Sequence, residues 1–225
     1  MDVRAAGDPN RLVRTRRAWH TLAERVVAPV RWRATGRIGL VPAPGGYATG
    51  PLPSGPEVRV EGTDLVHGDR RHRVTTLGAA ADFVGLDRPA DPEVYTPLTP
   101  DDPATPLRVD PADAELLAAW FAFGADVLAE WARTVPDPPS ETWLWPEHFD
   151  LALSLGEAPH RANYGASPGD DGTPEPYLYV GPWEVRADEF WDAGTYARLR
   201  LRDLVATADP RGRALAFFAA GRARA

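Results

Sequence analysis

Apolar positions along this chain repeat with two different periods, and each change of period marks a change of element. The clearest helical period runs from Ala114 to Ala132. There Leu116, Leu117, Trp120, Phe121, Phe123, Val127, Leu128 and Trp131 cover most of the circumference. A helix apolar nearly all round predicts burial, so this one is expected to be the central packing element. Asp110 suits its N-cap, Pro111 its first position, and Asp113 and Glu115 the positive end of its dipole. Pro136, Pro138 and Pro139 end it. A second helical pattern uses Leu12, Ala18, Trp19, Leu22, Val26 and Val27 and predicts a helix from about Asn10 to Ala28, stopped by Pro29. A third opens at Asp209-Pro210 and carries Leu215, Phe217 and Phe218, with Gly221 just past its C-terminus.

Elsewhere the period falls to two. Ile38 and Leu40 alternate with Arg37, Gly39 and Val41, and a Pro44–Gly46 turn leads into Tyr47–Leu52. Val58 and Val60 alternate with Glu57, Arg59 and Glu61, the pattern of a half-buried strand. Residues 65–67 and 71–75 flank Gly68-Asp69 as a tight hairpin, and a short helix is expected over Leu77–Val84. The proline-rich stretch 86–107 reads as an extended connector and not as a domain boundary. Further on, residues 148–155 separate into Phe149, Leu151, Leu153 and Leu155 on one face and His148, Asp150, Ala152 and Ser154 on the other. Strands at about His160–Gly165 and Tyr177–Trp183 complete a meander. These patterns predict one α+β domain over residues 1–225. Its antiparallel sheets would come from two strand clusters, about 37–75 and 143–183, packed around the central buried helix.

Composition narrows the chemistry. The chain has no cysteine, which removes disulfides, thiolate metal sites and a cysteine nucleophile, and makes the cytoplasm the expected compartment. All 25 basic residues are arginine, so lysine-dependent phosphate loops and Schiff bases are excluded. Net charge is −7, against a nucleic-acid partner. Residues 1–37 run opposite, at +6 from nine arginines against Asp2, Asp8 and Glu24, and read as a solvated helix face or a surface for phosphate or an acidic partner. No apolar run is long enough to span a bilayer, and residues 1–17 lack the apolar stretch of a secretory signal.

Candidate chemistry concentrates in residues 143–191, where seven aromatics (Trp143, Trp145, Tyr164, Tyr177, Tyr179, Trp183 and Trp191) surround polar groups. They suit either a sheet core and its rims or the apolar walls of a small-molecule site. Trp145, Asn163, Tyr164, Tyr177 and Tyr179 are the candidate ligand-binding residues. His148 and Asp150, two apart on one expected strand face, fit a structural pair, an imidazole oriented by a carboxylate, or two ligands of a divalent metal. A metal would need further ligands from His160, Asp170, Asp171 or Glu175, and the spacing matches no strong metal signature. No other cofactor is evident. Asp170-Asp171-Gly172 reads as a turn, with an ion loop as the alternative. Gly165-Ala-Ser167-Pro-Gly169 matches the hydrolase nucleophile elbow in letters only. The residue after the serine is Pro168, which has no N–H for an oxyanion hole, and no histidine follows His160.

The strings Trp145-Pro-Glu-His-Phe-Asp-Leu-Ala152, Asn163-Tyr-Gly-Ala-Ser-Pro-Gly-Asp170 and Pro174-Glu-Pro-Tyr-Leu-Tyr-Val180, with Pro182-Trp183 beyond, resemble an uncharacterised domain family from GC-rich, actinobacteria-type genomes. The resemblance covers most of the chain, is most specific over residues 143–183, and implies no particular mechanism. Two functional readings follow from the residues. The preferred one is a non-catalytic module that binds a small molecule or a protein through the 143–191 face. The alternative is a small-molecule enzyme with acid–base or metal-assisted chemistry at His148 and Asp150.

Overall fold

The computed structural model describes residues 8–89, 94–186, 188–192 and 195–225. Residues 1–7 of the arginine-rich segment, 90–93 of the expected connector and 187 of the aromatic-rich span lie outside the described residues. The architecture is α+β, with helices and two antiparallel five-stranded sheets. The chain forms two compact units, neither of them contiguous. Among the described residues the first unit comprises 8–119 and 144–149, and the second 120–143 and 150–225.

The first unit opens with α1 (Pro9–Leu22), whose cap Asp8 accepts the Asn10 N–H at 3.0 Å. Pro29 does not stop the helix as the sequence pattern predicts. A π-helical turn at Ala23–Val27 leads into α2 (Ala28–Thr35), which ends at Gly36 in the left-handed region (φ 68°). Proline lacks an N–H, and its ring crowds the carbonyl four residues back. The wider π ring shifts bonding by one residue and so relieves both problems just where Pro29 enters.

Five short strands then form a meander in the order β1-β2-β3-β4-β5. They are β1 (Val41–Ala43), β2 (Gly46–Ala48), β3 (Val58–Glu61), β4 (Asp64–His67) and β5 (Arg70–Arg73). The strand expected over 37–41 begins only at Val41; Leu40 makes an isolated antiparallel bridge with Leu144. Along β3 the alternation holds, with Val58 and Val60 buried and Arg59 paired outward with Glu57 and Glu61. Next comes α3 (Leu77–Phe83), capped by Thr76. The core of this unit is fixed by polar contacts as well as burial: Tyr47 donates from its hydroxyl to the Trp19 carbonyl at 2.6 Å, and Trp19 Nε1 donates to the Gly62 carbonyl at 3.1 Å.

α4 (Pro111–Thr134) starts at the expected cap, where Asp110 accepts the N–H groups of Ala112 and Asp113 at 3.0 and 3.2 Å. It passes from the first unit to the second after residue 119. Its burial is a broad stripe and does not run all round as expected. Leu117, Trp120, Phe121, Val127, Leu128 and Trp131 are buried, whereas Glu115, Ala122, Asp126 and Ala129 are exposed.

The second sheet contains β6 (Trp143–Trp145), β7 (Asp150–Leu155), β8 (Ala162–Ser167), β9 (Tyr177–Pro182) and β10 (Ala197–Arg200), in the order β10-β9-β8-β7-β6. Pairing is antiparallel, with Leu153 opposite Tyr164, Tyr164 opposite Val180 and Val180 opposite Ala197. This register gathers Leu151, Leu153, Tyr164, Ala166, Leu178 and Val180 on one apolar face. The second-unit part of α4 packs there: Gly124 lies so close that an added Cβ would sit 2.6 Å from Ala166 Cβ. After α5 (Leu201–Val205), α6 (Pro210–Arg222), capped by Asp209, covers the same face. Gly221 lies inside this helix and not past its end, and its missing side chain makes room for Val180, which a Cβ there would meet at 2.7 Å. No helix among the described residues is long and apolar enough to cross a membrane.

Candidate functional site

The opposite face of the second sheet follows from the same register. Reading across the strands, it carries Asp150, Ala152 and Ser154 from β7, then Ser167, Gly165 and Asn163 from β8. β9 adds Tyr177, Tyr179 and Gly181, and β10 adds Arg198. Two glycines and an alanine occupy its middle, and polar and aromatic side chains surround them.

The two glycines do different things. Gly165 lies under the ring of Tyr179: a Cβ there would sit 2.4 Å from Tyr179 Cε1. The missing side chain lets Tyr179 lie across β8 and donate its hydroxyl to Asp150 Oδ2 on β7. Burial pushes the Tyr179 hydroxyl pKa well above its usual value, and the neighbouring Asp150 charge pushes it further. Tyr179 is therefore a neutral donor at any physiological pH. Tyr177 makes a parallel bond to Asp170 Oδ2 and is likewise pushed up, mainly by burial. Asp170 also accepts the Gly172 and Thr173 N–H groups at 2.7 and 2.6 Å, so its carboxylate closes the 170–173 turn. Arg198 donates to Asp192 at 2.8 Å and to Thr173, and its guanidinium lies 4.9 Å from the centre of the Tyr196 ring.

Gly181 is open. Among the described residues the nearest atom to an added Cβ is Tyr196 Cβ at 3.9 Å, and no other neighbour comes within 4 Å. Asn163 is its cross-strand partner. Trp183 follows two residues later on the same face. The residue is 58% exposed, yet its ring is held twice, by Nε1 donating to Asn163 Oδ1 at 3.0 Å and by the Arg161 guanidinium 3.9 Å from the ring centre. Ser154 donates to the same Asn163 Oδ1 at 2.7 Å. The missing side chain at Gly181 thus leaves a notch in the face beside Asn163, Trp183 and Tyr196, with Tyr179 two residues earlier along β9.

The structure separates the residues singled out in the sequence. Asp150, Asn163, Tyr177 and Tyr179 share the polar face. Tyr164 is on the apolar face, packed against Trp131 and Phe218 at 5.5 and 5.6 Å between ring centres. Burial raises its pKa to about 12. Trp145 is half-buried on β6 in the first unit. His160 is exposed, with Nδ1 2.7 Å from the Ala225 carbonyl. It precedes β8 at the end where Ala162 pairs with Leu155, at the far end of the β7–β8 hairpin from Asp150.

His148 and Asp150 are not alternate residues of one strand. β7 begins at Asp150, and the turn before it contains Phe149 with φ 51°, so the period-2 alternation expected from residue 148 is broken. His148 is exposed in that turn. Phe149 is buried, with its ring stacked on His20 at 5.2 Å and edge-on to Tyr47 at 5.6 Å. An aromatic residue rarely adopts a left-handed conformation, which is why the letters alone suggest a longer strand. No group of three or more His, Asp or Glu side chains among the described residues is gathered to hold a metal ion.

Sequence reasoning passed over several residues. Arg161 and Gly181 carry the notch, and the available signal was a glycine inside each of two strand patterns, which marks a close approach or a gap. His20 was read only as part of a helix. Its Nε2 lies 2.9 Å from the Pro146 carbonyl, so it carries the proton as a donor, and burial lowers its pKa. Glu24, fully buried, accepts the N–H groups of Leu98 and Thr99 at 3.1 and 2.9 Å. Those bonds make Glu24 a clamp on that segment. Comparison of the chain with protein-family models, with curated proteins and with solved structures returns no match.

Proposed function

We propose that the chain is a non-catalytic binding module whose second sheet takes a small molecule on its polar face, at the Gly181 notch beside Trp183. The observation that carries this reading is the state of Trp183: more than half exposed, yet immobilised by Asn163 and Arg161. A large apolar ring left in water gains from being covered, and one already fixed loses little conformational entropy when a ligand covers it. Support comes from the open floor at Gly181 and from the polar groups around it, since small-molecule sites pair apolar walls with a few oriented donors and acceptors. The cysteine-free composition supports a cytoplasmic setting.

A thermal-shift screen of a metabolite library on wild-type protein and Trp183→Ala tests the reading. Hits that stabilise the wild type and lose that effect in Trp183→Ala are expected. A set of hits unaffected by the substitution would place binding elsewhere.

A further inference from the structure

We infer that the ligand of this face is a flat ring carrying a carboxylate, a proposal that rests on the binding reading above. The argument begins with the Asn163 amide. Indole Nε1 is only ever a donor, so the Asn163 atom 3.0 Å from Trp183 Nε1 is the carbonyl oxygen. Ser154 donates to that same oxygen at 2.7 Å. With two donors on Oδ1, the amide is locked, and Nδ2 with its two N–H groups is directed away from both. Among the described residues Nδ2 has no hydrogen-bond partner. The side chain opposite Gly181 is therefore a fixed double donor beside an open notch.

A second observation points to the same chemistry. Arg161 places its guanidinium on the Trp183 ring, and its Nε is shielded from solvent with no hydrogen-bond partner among the described residues. A shielded donor without an acceptor is costly, and an incoming acceptor offsets that cost. Donors and a positive charge around a notch select an anionic acceptor, and a carboxylate presents two oxygens to match. The exposed indole favours a flat partner for stacking. The two preferences together describe an aromatic or heteroaromatic carboxylate.

Nuclear magnetic resonance on the full chain tests this with three simple probes: benzoate, cyclohexanecarboxylate and benzylammonium. The readouts are distinctive. The chain has two side-chain amides, Asn10 and Asn163, and eight indoles, so the Asn163 pair and the Trp183 indole are assigned from Asn163→Asp and Trp183→Phe. Asn163→Asp keeps the oxygen that Ser154 and Trp183 use and replaces the outward amide by a carboxylate oxygen. Benzoate at tens of millimolar is expected to shift both signals saturably, and cyclohexanecarboxylate to bind more weakly. Asn163→Asp is expected to weaken benzoate about tenfold or more, through one lost charge-assisted bond and an added repulsion. Benzylammonium should bind that variant better than the wild type. Benzoate binding unchanged in Asn163→Asp, or benzylammonium binding the wild type more tightly than benzoate, overturns the carboxylate assignment and leaves the binding reading standing. A Trp183 signal that none of the three probes moves overturns both.

Discussion

Tyr179 and Tyr177 are the same residue type on the same face, two positions apart, yet their hydroxyls do unequal work. Tyr179 donates to Asp150, which is buried; Tyr177 donates to Asp170, which keeps two backbone N–H groups besides. Tyr179→Phe is therefore expected to cost about 1.5–3 kcal/mol, the range for a hydrogen bond to a charged group, and Tyr177→Phe about 1 kcal/mol or less. Urea unfolding of both variants checks the order. His20 supplies a pH dependence. Its folded-state pKa lies below the unfolded value because burial disfavours the cation; the Arg16 and His148 charges add to this, while Glu24 and the Pro146 carbonyl oppose it. The unfolded chain thus binds the proton more readily, so stability is present above the unfolded pKa of about 6.5 and is lost as pH falls below it. Unfolding free energies measured down through that range should decline in the wild type and decline less in His20→Gln. Part of this was legible in the letters: the parity of Asp150, Ala152 and Ser154 and of Tyr177 and Tyr179 placed them on one face. The pairing of His148 with Asp150 was not, because it depended on the conformation of one intervening residue, Phe149, which no pattern of apolar letters encodes.

Two strands and one turn govern how elements place the site. Gly165 and Gly181 are both mid-strand glycines on the polar face, and the sequence alone gives no means of ranking them. In space a Cβ at 165 collides with the Tyr179 ring at 2.4 Å, while one at 181 makes ordinary contact at 3.9 Å. Gly165→Ala should therefore displace Tyr179 from Asp150 and cost on the order of 2–3 kcal/mol, the loss of that bond with some strain added. Gly181→Ala should be neutral or stabilising by up to about 1 kcal/mol, since alanine loses less entropy than glycine on entering a strand. Denaturation midpoints of the two variants measured together decide it. The turn before β7 offers a second test. Removing the buried Phe149 ring should cost about 3–5 kcal/mol in Phe149→Ala. Glycine is ordinarily about 0.5–1 kcal/mol worse than alanine within regular structure. At φ 51° alanine keeps a left-handed penalty of about 1–2 kcal/mol that glycine escapes, so Phe149→Gly should be at least as stable as Phe149→Ala. The ordinary order would mean that the turn is not left-handed. The helices show the same limit on reading by letters: Asp110 and Asp209 announced their N-termini correctly, but Pro29 did not end its helix, because a π turn absorbed it.

At the scale of the whole chain, the α+β class was readable because periods of 3.6 and 2 alternate cleanly along it. The division into units was not. Residues 144–149 belong with 8–119 while their neighbours on both sides belong to the other unit, and such a return leaves no mark in local composition. The described residues of the proline-rich stretch 86–107, which looks most like an interruption in the letters, fall inside the first unit. All the residues of the proposed notch, from Ser154 and Arg161 to Tyr196, fall in the second. The most direct test of that site is a calorimetric titration of a library hit against wild-type protein and Gly181→Val, a substitution that suits a strand and puts two methyl groups into the open space at 181. The expected result is an unchanged or slightly raised melting temperature with affinity lowered about tenfold or more, equivalent to about 1.4 kcal/mol. Unchanged affinity in a folded Gly181→Val protein would contradict the proposal that the notch is where this chain binds its ligand.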